Sequence, residues 1–282
     1  MSAATNPGAS TSSAAERHTI PEPVVPTIPE PVDGWTALSL EERDDRLVVR
    51  LDRPELRNAI DQTMVDELHA VCAHLEQHPK VLILTGTTIN GKGIFASGAD
   101  IAQLRERRRE DALAGINSQL FARIARLPMP VIAALDGWTL GGGAELAYAA
   151  DFRIATPHVK IGQPETNLGI SAAAGALWRL KELVGEPLAK ELVLAGRILD
   201  ADEALACHLV TELHPSEELL DAAHALADRI GKQDPLAVRI SKAVFHMPAD
   251  AHPMVDQLAQ AVLFESQAKF DRMQAFLDRK KR

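Results

Sequence analysis

The sequence predicts an α/β protein with an α-helical C-terminal part. Short apolar segments typical of strands alternate with segments of helical periodicity up to about residue 175, and after that point the strand signals fade. The chain has 282 residues, of which 46% are hydrophobic, and this is enough for one large core or a core with a small appendage. Strands that alternate with helices and then give way to helices favour an α/β domain joined to a helical region.

Residues 1–33 are predicted to form a disordered tail. The stretch is rich in Ala, Ser, Thr and Pro and carries a near-repeat of the letters PEPV. It lacks the basic start and the apolar stretch of a secretory signal. We therefore expect the core to cover residues 34–200 and a helical C-terminal region to cover residues 201–282.

The first folded elements are predicted to be a strand, a helix and a second strand. The run RLVVRLDRP at 46–54 is rich in β-forming residues and ends at a proline, and KVLILTG at 80–86 is typical of a buried strand. Between them, Asp61 stands where a helix N-cap is expected. The helix that follows would bury one face of residues at helical spacing, namely Met64, Val65, Leu68, Val71, Cys72 and Leu75.

The same pattern then repeats. Residues 111–128 keep the helical period, and the runs PVIAALDG at 130–137 and DFRIAT at 151–156 predict two more strands. The helix should bury Leu113, Ile116, Leu120, Phe121, Ile124 and Leu127. In the helical part we expect caps at Asp200 and Ser216 and a long segment from Pro253 to the basic end.

Composition excludes several classes of function. A formal net charge of -9 argues against binding to nucleic acid or to a membrane surface. No run approaches the roughly 18 apolar residues of a membrane span. The histidines lack the spacing of metal ligands, so no metal is expected. Cys72 and Cys207 lie far apart in helical patterns, which argues against a disulfide framework and favours a reducing cytoplasm.

Two conspicuous runs have ordinary explanations. GTTINGKG at 86–93 comes close to a phosphate-binding loop, but Gly93 stands where a hydroxyl is needed for magnesium, and no helix follows. We interpret it as a glycine turn. RERRRE at 105–110 is interpreted as a solvated helix face, and a minor role in holding an anionic ligand stays open.

The run GWTLGGGAELAYAADFR at 137–153 is harder to explain by structure alone. Three successive glycines precede a helix-forming segment, at a cost of roughly 1 kcal/mol each relative to alanine. They could make a tight strand-to-helix turn in which Glu145 is simply an acid in the first helical turn. Alternatively, free N–H groups at the helix start could face a ligand. The first explanation accounts comfortably for one glycine and poorly for three.

Two further turns share this character. FASGADI at 95–101 follows the second predicted strand region, and KIGQPETNLGI at 160–170 presents Glu165 after a proline. These three blocks, in this order, resemble the signature blocks of the enoyl-CoA hydratase/isomerase (crotonase) superfamily. The resemblance runs from about residue 45 to the C-terminus. It implies a spiral of ββα turns as the core, and a helical C-terminal region that packs trimers, often paired into hexamers.

The resemblance also implies site residues. The family's oxyanion hole corresponds to the backbone N–H groups of Ala99 and Gly142. Its two carboxylates correspond to Glu145, taken as the base toward water, and Glu165, taken as the proton donor to C2. RPELRNAID at 53–61 resembles the first coenzyme A loop. The substrate-binding residues implied in this way are Arg57, Ala59, Ala99, Asp100, Ile101 and Gly142.

Leu177 and Trp178 depart from the family pattern. They are much bulkier than the residues that hydratases commonly carry after the second glutamate, in a segment near the family's acyl pocket. Shaping of that pocket and ordinary core packing are equally good explanations of these two side chains.

The function implied by the resemblance is hydration of a 2-enoyl-CoA thioester by an oligomeric enzyme. Coenzyme A would be part of the substrate, with no separate cofactor. Isomerisation of a double bond or cleavage of a hydroxyacyl-CoA would use the same oxyanion hole and stay as alternatives. A non-catalytic acyl-CoA carrier or an RNA-binding homologue is a rival from another class; the glutamate pair argues against the first and the net charge against the second.

Overall fold

The computed structural model describes Ile28 and residues 34–280. The predicted tail at 1–33 therefore lies outside the described residues, except for Ile28, which is partly buried and packs against the main core. No helix in the described part of the chain is long and apolar enough to cross a membrane.

The strands form two sheets, one of six strands and one of five. Their bounds are β1 Leu38–Glu42, β2 Arg46–Leu51, β3 Val81–Thr85, β4 Thr87–Ile89, β5 Lys92–Ala96, β6 Val131–Leu135, β7 Trp138–Leu140, β8 Phe152–Ala155, β9 Lys160–Gly162, β10 Ile198–Leu199 and β11 Glu212–Leu213.

The helices lie between and around these strands. Their bounds are α1 Gln62–Gln77, α2 Ile101–Glu106, α3 Arg109–Ala114, α4 Ile116–Ala125, α5 Gly142–Tyr148, α6 Lys181–Val184, α7 Glu186–Ala195, α8 Ala201–Ala206, α9 Leu219–Gly231, α10 Pro235–Phe245, α11 Met254–Phe264 and α12 Gln267–Arg279. The α/β class and the helical C-terminal part predicted from the sequence are confirmed, and β10 and β11 are strands of only two residues.

The six-stranded sheet has apolar residues on both faces. Its order is β1-β2-β3-β6-β8-β11, and the central strands β2, β3, β6 and β8 run parallel. Along β3, Leu82 and Leu84 join the main core while Val81 and Ile83 pack with α9, because successive side chains of a strand point to opposite faces. Both faces are covered, which explains why this strand reads as a continuous apolar run.

The five-stranded sheet, in the order β10-β9-β7-β5-β4, positions the site. Strands β5, β7 and β9 are parallel neighbours, so their carboxyl ends lie at one edge of the sheet. The segments that leave those ends are the three glycine-bearing blocks singled out in the sequence. Polar groups that follow neighbouring parallel strands meet at such an edge.

The run at 86–93 is a hairpin, as the turn interpretation requires. Strands β4 and β5 pair in antiparallel fashion, and Asn90 and Gly91 between them both have positive φ. An Asn-Gly pair of this kind forms a tight two-residue hairpin turn. The segment therefore continues as a strand and has no helix that could bind phosphate.

Three helix predictions were wrong in detail. The helix expected over 111–128 is broken at Gly115, whose φ of 65° ends α3, and Leu113 is 80% exposed. Ser216 is not a cap, because α9 begins at Leu219 after Glu218. The long segment after Pro253 is divided into α11 and α12, since Ser266 caps a new helix by accepting a hydrogen bond from the Lys269 N–H.

The predicted cap at Asp200 is confirmed and supports a stability prediction. Its carboxylate accepts from the Glu203 N–H at 3.0 Å, and the Glu203 carboxylate accepts from the Asp200 N–H at 3.0 Å. We expect Asp200→Ala to lower the free energy of unfolding by about 1 kcal/mol, because it removes the N-cap of α8. Asp200→Asn should retain most of the stability, and Asp202→Ala, at an exposed position of the same turn, is the matched control. Urea unfolding measures all three, and an equal loss in Asp200→Asn would contradict the capping explanation.

Candidate active site

A cavity of about 470 Å³ lies at the edge where β5, β7 and β9 end. Its wall includes Ala99 after β5, Gly142 and Glu145 after β7, and Glu165 after β9. Ile101, at the start of α2, also lines it. The fold thus brings together the two predicted N–H donors and the two predicted carboxylates, which come from three separate segments of the sequence.

The two predicted N–H donors are left free by the local backbone. The Ile60 N–H donates to the Gly98 oxygen at 2.8 Å, and the Asp100 N–H donates to the Ile60 oxygen at 2.9 Å. This single bridge turns the intervening N–H of Ala99 away from Ile60. Gly142 is the first residue of α5, where an N–H has no partner within the helix. In the described residues neither N–H has an acceptor.

Gly142 keeps the space between these donors open. A Cβ added there would lie 3.5 Å from the Ala99 nitrogen. An atom that occupied this space would therefore be in contact with the Ala99 N–H, and it would also lie beside the N–H of Gly142. Two free N–H groups beside one small space form a binding site for a carbonyl oxygen or an oxyanion.

The flanking glycines are needed for other reasons. Gly141 has a φ of 51°, and a Cβ there would lie 2.7 Å from the Glu165 Oε1. A Cβ on Gly143 would lie 2.6 Å from both the Cβ and the oxygen of Ala96. The first glycine makes room for the carboxylate and the third allows α5 to pack on β5. Gly141 and Gly143 are thus required by close packing, whereas Gly142 keeps space open beside the two N–H groups.

Glu145 is buried and held by main-chain groups. Its Oε1 accepts hydrogen bonds from the Ala174 N–H at 2.7 Å and the Ala176 N–H at 3.1 Å. Burial raises the pKa of Glu145 to about 7, and the neighbouring Glu165 carboxylate adds to the rise, whereas the main-chain N–H groups oppose it. A carboxyl group with a pKa near neutrality exchanges protons readily in both directions.

Glu165 starts the short turn that follows Pro164 and is also buried. The side-chain amide of Gln163 lies against it, and in the orientation that satisfies both groups its nitrogen donates to the two carboxylate oxygens at 2.9 and 3.1 Å. Burial raises the pKa of Glu165 as well. The site therefore holds two buried carboxyl groups whose proton affinities are increased.

This arrangement is suited to proton transfer next to a polarised carbonyl group. The two N–H groups would stabilise negative charge on a carbonyl oxygen, and the two carboxyl groups would accept and deliver protons beside it. Within residues 34–280, no group of three or more His, Cys, Asp or Glu side chains is arranged to hold a metal ion.

Leu177 and Trp178 do not line the cavity. Both are about half exposed, at 54% and 51%, and the Arg179 guanidinium stacks on the Trp178 ring at 4.2 Å. They follow Ala176, whose N–H is fixed by Glu145, in a π-helical turn that turns their side chains toward solvent. The segment contributes its backbone to the site, and neither pocket shaping nor core packing describes these two side chains.

The other predicted binding residues, Arg57, Ala59 and Asp100, do not line the cavity but lie next to residues that do. Arg57 is exposed, and its backbone oxygen accepts from the Ser97 N–H at 3.1 Å. Asn58 is buried and donates to the oxygens of Ile94 and Phe95, which holds the loop and the neighbouring Ala59 in place. Asp100 accepts from the Gln103 N–H at 2.9 Å and so caps α2.

The charge run at 105–110 is only partly a solvated helix face. Helix α2 ends at Glu106 and α3 begins at Arg109, so the run is broken in the middle. Arg107 and Arg108, at the break, line the cavity. Sequence reasoning also missed Asn117 on the cavity wall and Gln163 beside Glu165, since isolated amide residues carry no pattern that marks them.

Comparison with known proteins identifies what this chain is similar to. The family model for enoyl-CoA hydratase/isomerase matches residues 42–282. A short-chain-enoyl-CoA hydratase of Clostridium acetobutylicum is 35% identical over 255 residues, which cover 86% of this chain and 95% of that protein. A crotonyl-CoA hydratase of Syntrophomonas wolfei is 35% identical over 256 residues, which cover 88% and 97%.

Solved structures show the same similarity. The crystal structure of an enoyl-CoA hydratase from Bacillus anthracis superposes with a TM-score of 0.80 at 28% identity, over 86% of this chain and 97% of that one. An enoyl-CoA hydratase from Thermoplasma volcanium gives a TM-score of 0.75 at 32% identity, over 85% and 96%.

The raised pKa of Glu145 predicts how stability depends on pH. Because the folded-state pKa of about 7 lies above the ordinary value of 4.5, the folded protein binds this proton more tightly than the unfolded chain does, and stability is lost as pH rises from 4.5 through 7. Glu145→Gln removes the titrating group. We therefore expect the free energy of unfolding of this variant, compared with that of the parent at the same pH, to increase as the pH rises from 4.5 to 7. The gain should level off above pH 7 at about 3 kcal/mol.

Chemical denaturation at several pH values tests this expectation. Glu106→Gln is the matched control, because its side chain is 72% exposed. A stability difference between Glu145→Gln and the parent that stays constant from pH 4.5 to 8 would show that Glu145 titrates normally.

Proposed function

The chain belongs to the enoyl-CoA hydratase/isomerase family, and we propose that it is an enzyme that adds water across the 2,3 double bond of a 2-enoyl-CoA thioester. The observation that carries the proposal is the joint presence of two buried glutamates and two free N–H groups around one cavity. The names of the relatives from Clostridium acetobutylicum and Syntrophomonas wolfei agree with this reaction.

The first step is polarisation of the thioester. Its carbonyl oxygen accepts hydrogen bonds from the Ala99 and Gly142 N–H groups, and electron density is drawn from C3 toward that oxygen. Attack at C3 then produces an enolate whose negative charge resides on the same oxygen. Losing one such donor typically costs about 3 kcal/mol of transition-state stabilisation.

The two glutamates transfer the protons of the reaction. Glu145, in its ionised form, takes a proton from water as the water oxygen bonds to C3, and Glu165, in its protonated form, gives a proton to C2. The product gains one water, while one carboxyl group gains a proton and the other loses one. Because the two groups are coupled, the pair returns to its starting state when one proton moves between them or through solvent.

The proposal extends to substrate binding. Coenzyme A is carried by the substrate, and the reaction uses no separate cofactor. The loop with Arg57 and Ala59 is bonded to Ser97 of the cavity wall, and Asp100 lies between Ala99 and Ile101, which line the cavity. Both segments would contact the coenzyme A part of the thioester. A cytoplasmic location is supported by the free thiols of Cys72 and Cys207.

Association into trimers or hexamers is also part of the proposal. The C-terminal helices α11 and α12 expose many large apolar side chains, which in one chain alone would face water. They include Met254, Leu258, Val262, Phe264, Phe270, Met273, Phe276 and Leu277. An exposed apolar surface of this kind is typical of an interface, and a second copy of the chain is the proposed occupant.

Replacement of the glutamates tests the hydratase mechanism. We expect Glu145→Gln and Glu165→Gln each to lower kcat for hydration of crotonyl-CoA by about 10²- to 10⁴-fold, because glutamine retains the shape but does not exchange the proton. The double variant should be little worse than the poorer single variant. Loss of the absorbance of the conjugated thioester measures the rate.

Two controls accompany this test. Binding of butyryl-CoA should be retained in both variants, and Glu182→Gln, at an exposed position of α6, should have parent activity. Full hydration by Glu145→Gln would rule out the two-carboxylate mechanism. Modest loss in Glu145→Gln with complete loss in Glu165→Gln would favour an isomerase-like use of one carboxylate.

A small substitution at Gly142 tests the oxyanion hole. Gly142→Ala retains the N–H and makes only ordinary contacts, with the Ala99 nitrogen at 3.5 Å, so the protein should fold normally. The added methyl group enters the space of the thioester oxygen, and kcat/KM should fall by about 10²- to 10³-fold. Gly231→Ala, at the end of α9 with its nearest atom at 3.8 Å, is the matched control. A normally folded Gly142→Ala protein with parent activity would remove Gly142 from the mechanism.

A further inference from the structure

Two cations in the wall of the cavity, Arg107 and Arg108, have no role in the proposed chemistry. Arg107 lies in the break between α2 and α3 and is half-buried, whereas Arg105, Arg108 and Arg109 are exposed. The break in the charge run therefore places Arg107 and Arg108 in the wall of the substrate cavity, and of these two only Arg107 is half-buried.

The charge of Arg107 is not neutralised within the protein. Its Nη1 donates to the Oδ1 of Asn117 at 3.3 Å, and no carboxylate of the described residues lies within 4.0 Å of it. Two other arginines of the run are paired, Arg105 with Glu106 at 3.9 Å and Arg109 with Glu110 at 3.0 Å. Arg108 has no ion pair within the described residues either, but its side chain is exposed, so water solvates its charge. Asp111 lines the same cavity, but its Oδ2 accepts from the Arg108 N–H at 2.8 Å.

Asn117 connects Arg107 to the place where the thioester would bind. The Asn117 Nδ2 lies 3.6 Å from the position that a Cβ of Gly142 would take. The other end of the same amide accepts from Arg107. The Asn117 amide alone therefore separates the Arg107 guanidinium from the space beside Gly142, and all three residues line the same cavity.

The surroundings of Arg107 favour an anion from outside. Leu104, Ile116, Leu168 and Ile170 contribute apolar surface to the same cavity. A cation beside apolar surface needs an anion when a ligand displaces the water around it. The hydrogen bonds of the two catalytic glutamates go to Ala174, Ala176 and Gln163, so the reaction itself leaves Arg107 unused.

We infer that the acyl group of the natural substrate is short and ends in a carboxylate, which Arg107 binds with the help of the Asn117 amide. This inference rests on the proposed hydratase function and names its substrate class. A planar guanidinium binds a carboxylate through two parallel hydrogen bonds, which lysine does not reproduce. Because the Arg107 guanidinium lies close to the oxyanion hole, an acyl chain whose terminal carboxylate reaches it has only a few carbons beyond the double bond.

A matched pair of substrates tests the inference. One is a 2-enoyl-CoA whose five- or six-carbon acyl chain ends in a carboxylate, and the other is the same thioester with a terminal carboxamide of nearly the same shape. We expect the parent protein to hydrate the carboxylate with a kcat/KM about 10- to 100-fold above that for the carboxamide. Crotonyl-CoA, which has no terminal polar group, is measured in the same series.

Variants at the charge run assign the effect to one side chain. Arg107→Gln should abolish the preference for the carboxylate, and Arg107→Lys should retain part of it. Arg105→Gln removes the same charge from an exposed position outside the cavity wall and should keep the full preference. Thermal melting of each variant confirms that it is folded.

The outcomes are distinguishable. A parent protein that hydrates crotonyl-CoA but shows equal kcat/KM for carboxylate and carboxamide would overturn the inference and leave the hydratase proposal intact. An Arg107→Gln variant that weakens all three thioesters equally would also overturn it, because Arg107 would then bind the coenzyme A part. A parent protein that hydrates none of the thioesters would overturn the hydratase proposal and the inference with it.

Discussion

The parallel alignment of β5, β7 and β9 is the constraint on which the site depends. Ala96 is paired with Thr139, and Leu140 is paired with Gly162, so the three strands end at nearly the same level. Just beyond, the Gly141 N–H donates to the Gly162 oxygen at 2.9 Å and extends the pairing by one step. The chain then leaves each strand toward the same cavity, and this places an N–H donor or a carboxylate at each exit.

Close approach between these exits requires residues with little or no side chain. Gly143 packs on Ala96, and Gly141 packs on the Glu165 carboxylate. The resulting compactness excludes water from both glutamates and raises the pKa of each. The proton affinity of the site is therefore a product of backbone packing, and the main-chain N–H groups of residues 174–176 moderate it at Glu145.

Elements that are determined by their own local sequence could be predicted, and elements that depend on contacts with distant residues could not. The strands at 81–85 and 131–135 could be predicted because every residue of each is buried and the sequence records this as an apolar run. The glutamates and the N–H donors were found through motifs that resemble a family. Leu177 and Trp178 were misplaced, since their direction depends on a π-helical turn set by the contact between Ala176 and Glu145.

Arg107, Asn117 and Gln163 show the other limit of sequence reasoning. Each is an isolated polar residue whose role depends on a partner that only the folded chain brings near. The break at Gly115 could not be predicted from the helical period through 111–128. Such a period indicates which residues share a face, but it does not show whether the helix backbone is continuous.

The main-chain origin of the contacts to Glu145 has an evolutionary consequence. The N–H groups of Ala174 and Ala176 bind this carboxylate, and those of Ala99 and Gly142 are the free donors of the cavity. Most substitutions change a side chain and leave the N–H in place; proline is the exception. Residues such as Ala173 and Ala174, which line the cavity, can therefore diverge while the hydrogen bonds to the Glu145 carboxylate persist. Proteins with this fold can therefore change the side chains that line the cavity while the main-chain hydrogen bonds to Glu145 are kept.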